Sequence, residues 1–202
     1  MIKSSCMKLA LLLLLLPFIT HSQNQYIKKV VDHRKKKNIQ YKDSLTSPFH
    51  KDIANFDSLN YFAPNPKFNI QAKFIQEFGP SFDMSTSSGK LKKFRLYGKL
   101  YFSLDSIDYI LPVYQNLKLM TNPLYQNYIF IPFTDLTNGK ETYGGGRYIE
   151  TTKPDSDVLN LDFNYSFNPY CHYTTGYNCP IPPKGNFLDL RIEAGEKKYK
   201  TH

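Results

Sequence analysis

The chain has 202 residues, enough for one domain with a sizeable core and too few for two comfortable domains. Aromatic residues make up 15% of it, with 16 Tyr, 15 Phe and no Trp, so wholesale disorder is excluded and β-structure is favoured. The formal net charge of +9 is compatible with an anionic partner.

The first 22 residues have the layout of a secretory signal peptide. Two lysines precede an apolar run at residues 9–19, and Thr20-His21-Ser22 follows it, which predicts cleavage before Gln23. The apolar run is shorter than the roughly 20 residues that a membrane span needs. We therefore expect an exported chain, periplasmic or extracellular, that has no membrane span once the signal peptide is removed.

Residues 23–46 are predicted to form an amphipathic N-terminal helix that ends before Ser47-Pro48. The helix carries the densest basic run of the chain, His33-Arg34-Lys35-Lys36-Lys37. Solvated lysines on an exposed helix face are the favoured interpretation, and an anionic partner is the alternative. We expect no nucleic-acid partner, because the predicted export removes most nucleic acid from reach and no nucleic-acid-binding module is visible.

Beyond the helix, the hydrophobic pattern has the period of two that is typical of strands. Strands are predicted at residues 68–74, 94–104, 109–114, 128–133, 142–150, 159–165 and 187–194. Asn138-Gly139 separates two of them and predicts a hairpin. The spacing excludes repeated βαβ units, so residues 47–198 are expected to form a single, mainly β antiparallel domain of about eight strands, either a partly closed barrel or a sandwich.

The cysteines of the mature chain are Cys171 and Cys179, an even pair in a compartment where disulfides persist. We expect a disulfide between them. A zinc site is the competing interpretation, but the spacing is unlike that of zinc ligands and the histidines are scattered, so no metal and no cofactor are expected.

The glycine run before Arg147 is the first candidate for a binding site. If residues 142–150 are extended, the side chains of Tyr143 and Arg147 point to the same side as Gly145. A ligand could then lie over Gly145, held by Arg147 and walled by Tyr143. The alternative is a bulge or barrel corner in which Arg147 pairs with a structural carboxylate.

Asp135 and Asp162 are the expected partners for Arg147, and Asn164 shares a strand face with Asp162. A single carboxylate paired with the guanidinium would be structural, whereas two converging carboxylates would indicate acid–base chemistry. The structural pair is favoured, because ion-pair networks also gather charged residues without catalysis.

Several distinctive short motifs occur in the second half of the chain. They are IPFTD at 131–135, TYGGGRY at 142–148, LDFN at 161–164, NPYC at 168–171, CPIPP at 179–183 and EAGE at 193–196. Together they resemble the family known as domain of unknown function 1684, a group of uncharacterised bacterial and archaeal proteins. The resemblance covers about residues 30–198 and implies one intact domain, with no established activity.

Three functions remain open from the sequence. The leading hypothesis is an exported domain that binds a small polar or anionic ligand through Tyr143, Gly145 and Arg147. The second is a hydrolase that uses Asp135 or Asp162 as a general base, with His172 as a more distant candidate. The third is a structural or interaction domain without a ligand, and the oligomeric state stays undetermined.

Overall fold

A computed structural model describes residues 3–199 of the chain, with side chains described for residues 23–49 and 53–199. The helix α1 spans Lys3–Lys42. The signal peptide predicted for residues 1–22 lies outside the described side chains. Within the part of the chain that the structure covers, no helix combines the length and the apolar character needed to cross a membrane.

The helix packs one face against the rest of the domain. Val30, Arg34 and Tyr41 recur at helical spacing on that face, and all three are buried. The helix ends four residues before the predicted boundary, because the carbonyl of Asp43 accepts the backbone N–H groups of Thr46 and Ser47 in a turn.

Eight strands occur within residues 3–199. They are β1 Asn69–Gln76, β2 Ser81–Ser85, β3 Leu91–Leu104, β4 Ile107–Asn116, β5 Tyr128–Asp135, β6 Arg147–Thr152, β7 Val158–Asp162 and β8 Phe187–Leu188. Short 3-10 helices span His50–Asn55, Pro66–Phe68, Leu119–Thr121, Pro123–Tyr125, Phe163–Tyr165, Tyr170–His172 and Lys184–Asn186.

All eight strands belong to one curled sheet, in the order β6-β5-β4-β3-β1-β7, with β2 beside β3 and β8 beside β5. Every pair is antiparallel except the short β5–β8 pair. Beyond β7, Phe167 exchanges two backbone hydrogen bonds with Tyr148 of β6, so the chain connects the two edges of the sheet. The predicted antiparallel β domain is confirmed, and of the two architectures it is the partly closed barrel.

The hairpin of β3 and β4 positions most of the core. Its turn consists of Asp105 and Ser106, both with positive φ, and is shorter than the interval of residues 105–108 between the strands predicted at 94–104 and 109–114. The register shifts between Leu96 and Gly98, which turns the Tyr97 ring into the core although strict alternation would place it on the same face as Arg95 and Lys99. A Cβ at Gly98 would lie 2.5 Å from the carbonyl oxygen of Ile75, so this close approach of two strands requires glycine.

The main core fills the concave side of the curled sheet. It is built from side chains of β1, β3, β4, β5 and β7 together with the segment after β8, including Leu100, Leu111, Ile129, Ile131, Phe133, Leu161, Phe163, Leu188 and Ile192. A second cluster contains Met84, Phe94, Tyr114, Phe130 and Tyr148. A third cluster, with Tyr41, Phe49, Phe56 and Leu59, packs α1 against the domain.

Two predicted strands end earlier than expected, for physical reasons visible at their ends. The strand predicted at 159–165 ends at Asp162, whose carboxylate accepts the backbone N–H of Asn164 and caps the next 3-10 helix. The strand predicted at 187–194 is reduced to β8, because side chains and not a neighbouring strand satisfy the backbone at Ile192 and Ala194.

Candidate functional site

Arg147 and Asp135 form an ion pair whose two side chains are fully buried. Arg147 Nη2 lies 3.2 Å from Asp135 Oδ1 and donates to the carbonyl of Ile192 at 2.9 Å, while Nη1 donates to the carbonyl of Ala194. Burial lowers the pKa of the Arg147 guanidinium, and the Asp135 charge opposes that change. The arrangement is that of the structural pair favoured from the sequence.

The Asp135 carboxylate is satisfied on its other side as well. It accepts a hydrogen bond from the Thr137 hydroxyl at 2.9 Å and one from the backbone N–H of Ile192 at 2.8 Å. Arg147 and Asp135 therefore fasten the β5–β6 hairpin to the C-terminal segment.

The glycine run is a turn rather than part of a strand. Because β6 begins at Arg147, the expectation that residues 142–146 are extended is wrong, and Tyr143 and Gly145 do not share a strand face with Arg147. Gly146 has a φ of +90°, and a Cβ on it would lie 2.6 Å from a ring atom of Pro182. A Cβ on Gly145 would lie 2.5 Å from the ring of Tyr143, so Tyr143 itself fills the space that the sequence analysis assigned to a ligand.

Asp162 and Asn164 lie together in a different cluster, where they hold helix α1. The Tyr26 hydroxyl is 2.8 Å from Asp162 Oδ2, and the Asn164 amide donates to Asp162 Oδ1 at 3.0 Å and to the carbonyl of Asn65 at 2.8 Å. Burial and the Asp162 carboxylate raise the pKa of Tyr26. Asp135 and Asp162 have separate sets of partners, so the structure does not assemble the two converging carboxylates that a hydrolase would use.

Glu196 is a buried carboxylate that the sequence analysis did not single out. It lies 2.8 Å from the Lys37 ammonium of α1, accepts the backbone N–H of Asn168 at 2.8 Å and accepts a bond from the Tyr173 hydroxyl. The one feature of the sequence that pointed to Glu196 is its place in the EAGE motif at residues 193–196. Glu196 links the basic run of the helix to the C-terminal segment.

The disulfide predicted between Cys171 and Cys179 is present, with the two Cα atoms 6.2 Å apart. It leaves no free thiol for nucleophilic catalysis beside His172, whose Nε2 accepts the backbone N–H of Tyr199 at 2.9 Å. Among the described side chains, no group of three or more His, Cys, Asp or Glu residues is placed to hold a metal ion.

A cleft of about 470 Å³ opens between α1 and the sheet edge. The helix side of this cleft consists of His33, Lys36, Lys37, Gln40 and Tyr41, and the opposite side of Glu150, Tyr165, Phe167 and Tyr170. None of the site residues expected from the sequence lines it. Periodicity along one element could not reveal the cleft, because it arises where the helix lies across segments more than one hundred residues away in the chain.

The charged side chains of the cleft differ in whether they form an ion pair. Lys37 is paired with Glu196 and lies 4.2 Å over the ring of Phe167. Lys36 is exposed and forms no ion pair with the side chains that the structure describes. His33 contacts the Tyr165 ring edge-on at 4.7 Å, and burial followed by the Lys37 charge lowers its pKa. Among the described side chains, the charges of the cleft that have no ion-pair partner at neutral pH are therefore those of Lys36 and, on the opposite side, Glu150.

Comparison with known proteins agrees with the resemblance seen in the sequence motifs. A family described as "Protein of unknown function (DUF1684)" matches residues 54–197. The solution NMR structure of an uncharacterised protein from Haloarcula marismortui is 28% identical, with a TM-score of 0.67, and the match covers 90% of this chain and 99% of that one. A comparison with curated proteins gave no match. The chain belongs to the family of proteins of unknown function DUF1684.

Proposed function

We propose that the domain binds a small anionic molecule in the cleft between α1 and the sheet edge. The observation that carries this proposal is the combination of an unpaired cation, Lys36, with aromatic walls formed by Tyr41, Tyr165, Phe167 and Tyr170. The volume of the cleft lies within the range of small-molecule sites. The proposal keeps the ligand class expected from the sequence and moves the site from Arg147 to the helix.

The lining suggests what such a ligand carries. Lys36 and, when protonated, His33 supply positive charge for a carboxylate or phosphate group. The aromatic rings supply flat apolar surface for a sugar or an aromatic ring. Glu150 on the opposite side is an acceptor for a hydroxyl or amine donor of the ligand. A phosphorylated or carboxylated sugar, or a nucleotide, has all three features.

NMR titration with uridine monophosphate, glucose 6-phosphate, glucuronate and uncharged glucose tests the proposal. We expect shifts at His33 and Tyr165 with at least one anionic compound and none with glucose. Lys36→Gln should weaken that binding roughly five- to tenfold, the effect of one partly screened charge, without changing the melting temperature.

Lys35→Gln is the matched control, because Lys35 lies next in the chain but its ammonium is 3.7 Å from Asp32 and outside the cleft lining. Equal affinities for Lys36→Gln and Lys35→Gln would place the ligand elsewhere. The absence of any shift, together with no small molecule in native mass spectra of the protein from its own host, would favour the structural or interaction domain.

We also propose that the protein is exported and cleaved near Ser22-Gln23. The layout of residues 1–22 supports this proposal, and the disulfide is compatible with an oxidising compartment. N-terminal sequencing of the protein from its host should start at or within a few residues of Gln23. A cytoplasmic chain that retains Met1 would contradict it.

A further inference from the structure

A second surface combines exposed apolar side chains with unpaired lysines, at the end of the sheet where β3 begins and β4 ends. Leu124 is 87% exposed, and Leu91, Leu119 and Tyr125 are also exposed. A groove of about 760 Å³ is lined by Leu91, Lys92, Lys93, Asn116, Lys118, Leu119, Asn122, Tyr125 and Asn178, and Leu124 precedes Tyr125 at its border without lining it. We call this surface the lysine-leucine groove.

The leucines of this groove are held outward by hydrogen bonds. Asn116 Oδ1 accepts the backbone N–H of Leu119 at 3.2 Å, and Asn122 Oδ1 accepts the backbone N–H of Leu124 at 3.0 Å. Each bond caps one of the two consecutive 3-10 helices or the turn that leads into it. Neighbouring exposed apolar residues on a hydrogen-bonded segment are typical of an interaction surface.

The groove has an excess of positive charge. Among the described side chains, no carboxylate lines it, and of its three lysines only Lys93 is in an ion pair, with Asp83 at 2.8 Å. Lys92 and Lys118 both line the groove, and partial burial followed by the charge of Lys118 lowers the pKa of Lys92. Thr86 and Ser88 direct their hydroxyls to Oδ1 of Asn178, which lines the groove.

We propose that the lysine-leucine groove docks the protein on an anionic lipid surface. Lys92 and Lys118 would contact lipid phosphates, and Leu119, Leu124 and Tyr125 would enter the interface between headgroups and acyl chains. The positive charge of these lysines complements anionic headgroups, and lysines beside exposed apolar side chains are the composition of interfacial membrane anchors. The proposal does not depend on the cleft at α1.

A single tryptophan provides the test, because the chain contains none. The full chain carrying Leu124→Trp should show a blue-shifted emission, and quenching by brominated lipid, with vesicles of phosphatidylcholine and phosphatidylglycerol. Pure phosphatidylcholine vesicles should give neither effect. Ile110→Trp is the control, since Ile110 is 53% exposed on β4 but lies toward the other end of the β3–β4 hairpin.

Charge variants in the Leu124→Trp background test the lysines. Lys92→Gln with Lys118→Gln should weaken vesicle binding about 25-fold, since each lysine near an anionic surface contributes about fivefold. Lys28→Gln with Lys29→Gln removes the same charge from an exposed part of α1 and should leave the affinity nearly unchanged. The apolar residues 9–19 are common to all variants, so any binding that they add cancels in the comparison.

The proposal is overturned if the Leu124→Trp emission stays unchanged on anionic vesicles, whether or not the chain sediments with them. It is also overturned if the two double lysine variants bind equally, or if pure phosphatidylcholine binds as well as the anionic mixture. Circular dichroism melts of each variant ensure that the compared proteins are folded.

Discussion

Replacing Arg147 by lysine tests whether its buried guanidinium is a structural cross-link. Lysine keeps the positive charge but has one nitrogen in place of the two that reach Asp135 on one side and the carbonyls of Ile192 and Ala194 on the other. The lysine side chain is shorter and ends in a single ammonium group, which can keep at best the contact with Asp135. The two hydrogen bonds from the charged group to the carbonyls of Ile192 and Ala194 are then lost. At about 1.5–3 kcal/mol each, Arg147→Lys should lower the free energy of unfolding by about 3–6 kcal/mol.

That loss is a large share of the stability of an ordinary domain, so the urea midpoint should fall steeply. Unfolding is followed by far-ultraviolet circular dichroism under conditions that keep the disulfide intact. Arg191→Lys is the matched control, because Arg191 is 40% exposed and pairs with Glu141 and Glu193 at 2.7 and 2.9 Å. Exposed ion pairs contribute little, so the control should lose less than about 1 kcal/mol.

Equal urea midpoints for Arg147→Lys and Arg191→Lys would refute the structural role. If Arg147→Lys kept its stability but lost a ligand that the native protein binds, Arg147 would be a binding residue as the sequence analysis first proposed. Both quantities can be measured on the same preparation.

Three further outcomes follow from other contacts. Glu196→Gln leaves the Lys37 ammonium, only 15% exposed, without its carboxylate and should cost about 3–5 kcal/mol in urea unfolding, and an unchanged midpoint would contradict the buried pair. Cys171→Ser with Cys179→Ser should cost about 2–3 kcal/mol, and a reducing agent should destabilise the native protein but not this variant. The pKa of His33 is lowered in the folded chain, so neutral His33 contributes to the free energy of unfolding. That contribution is fully present above about pH 6.5 and is lost as the pH falls through the lowered pKa. His33→Gln should therefore flatten the fall in urea midpoint below pH 6.5, and parallel curves for the two proteins would exclude that effect.

The sequence predicted the local features of the fold well. The alternation in β3 and the Asn138-Gly139 turn are properties of neighbouring residues. β5 and β6 pair on either side of that turn as expected, although β6 begins at Arg147 and not at residue 142. Errors arose where a distant side chain, and not a neighbouring strand, forms the hydrogen bond with a backbone group. The predicted strand at 187–194 failed because Asp135 and Arg147 bind the backbone of Ile192 and Ala194, and no periodic pattern reports such a contact.

The candidate site was less predictable than the fold. Pairing of Arg147 with Asp135 could be foreseen, since a buried guanidinium requires a carboxylate and few were in reach. The glycine run was misassigned because glycine fits an extended strand and a positive φ equally well, and only the neighbourhood of Gly146 decides between them. The cleft at α1 depends on how the helix lies across the domain, which Glu196 and Asp162 determine from far along the chain.

The backbone contacts of residues 192–196 also impose an order on folding. During synthesis, the β5–β6 hairpin leaves the ribosome before the carbonyl groups that Arg147 requires have been made. Until Ala194 emerges, the Arg147 guanidinium has to stay hydrated. Water therefore has to occupy the part of the core that the C-terminal segment later fills. The C-terminal segment therefore completes the core last. A chain truncated after residue 190 would retain all the strands described here but would lack the backbone groups of Ile192 and Ala194 that replace water around Arg147 and Asp135.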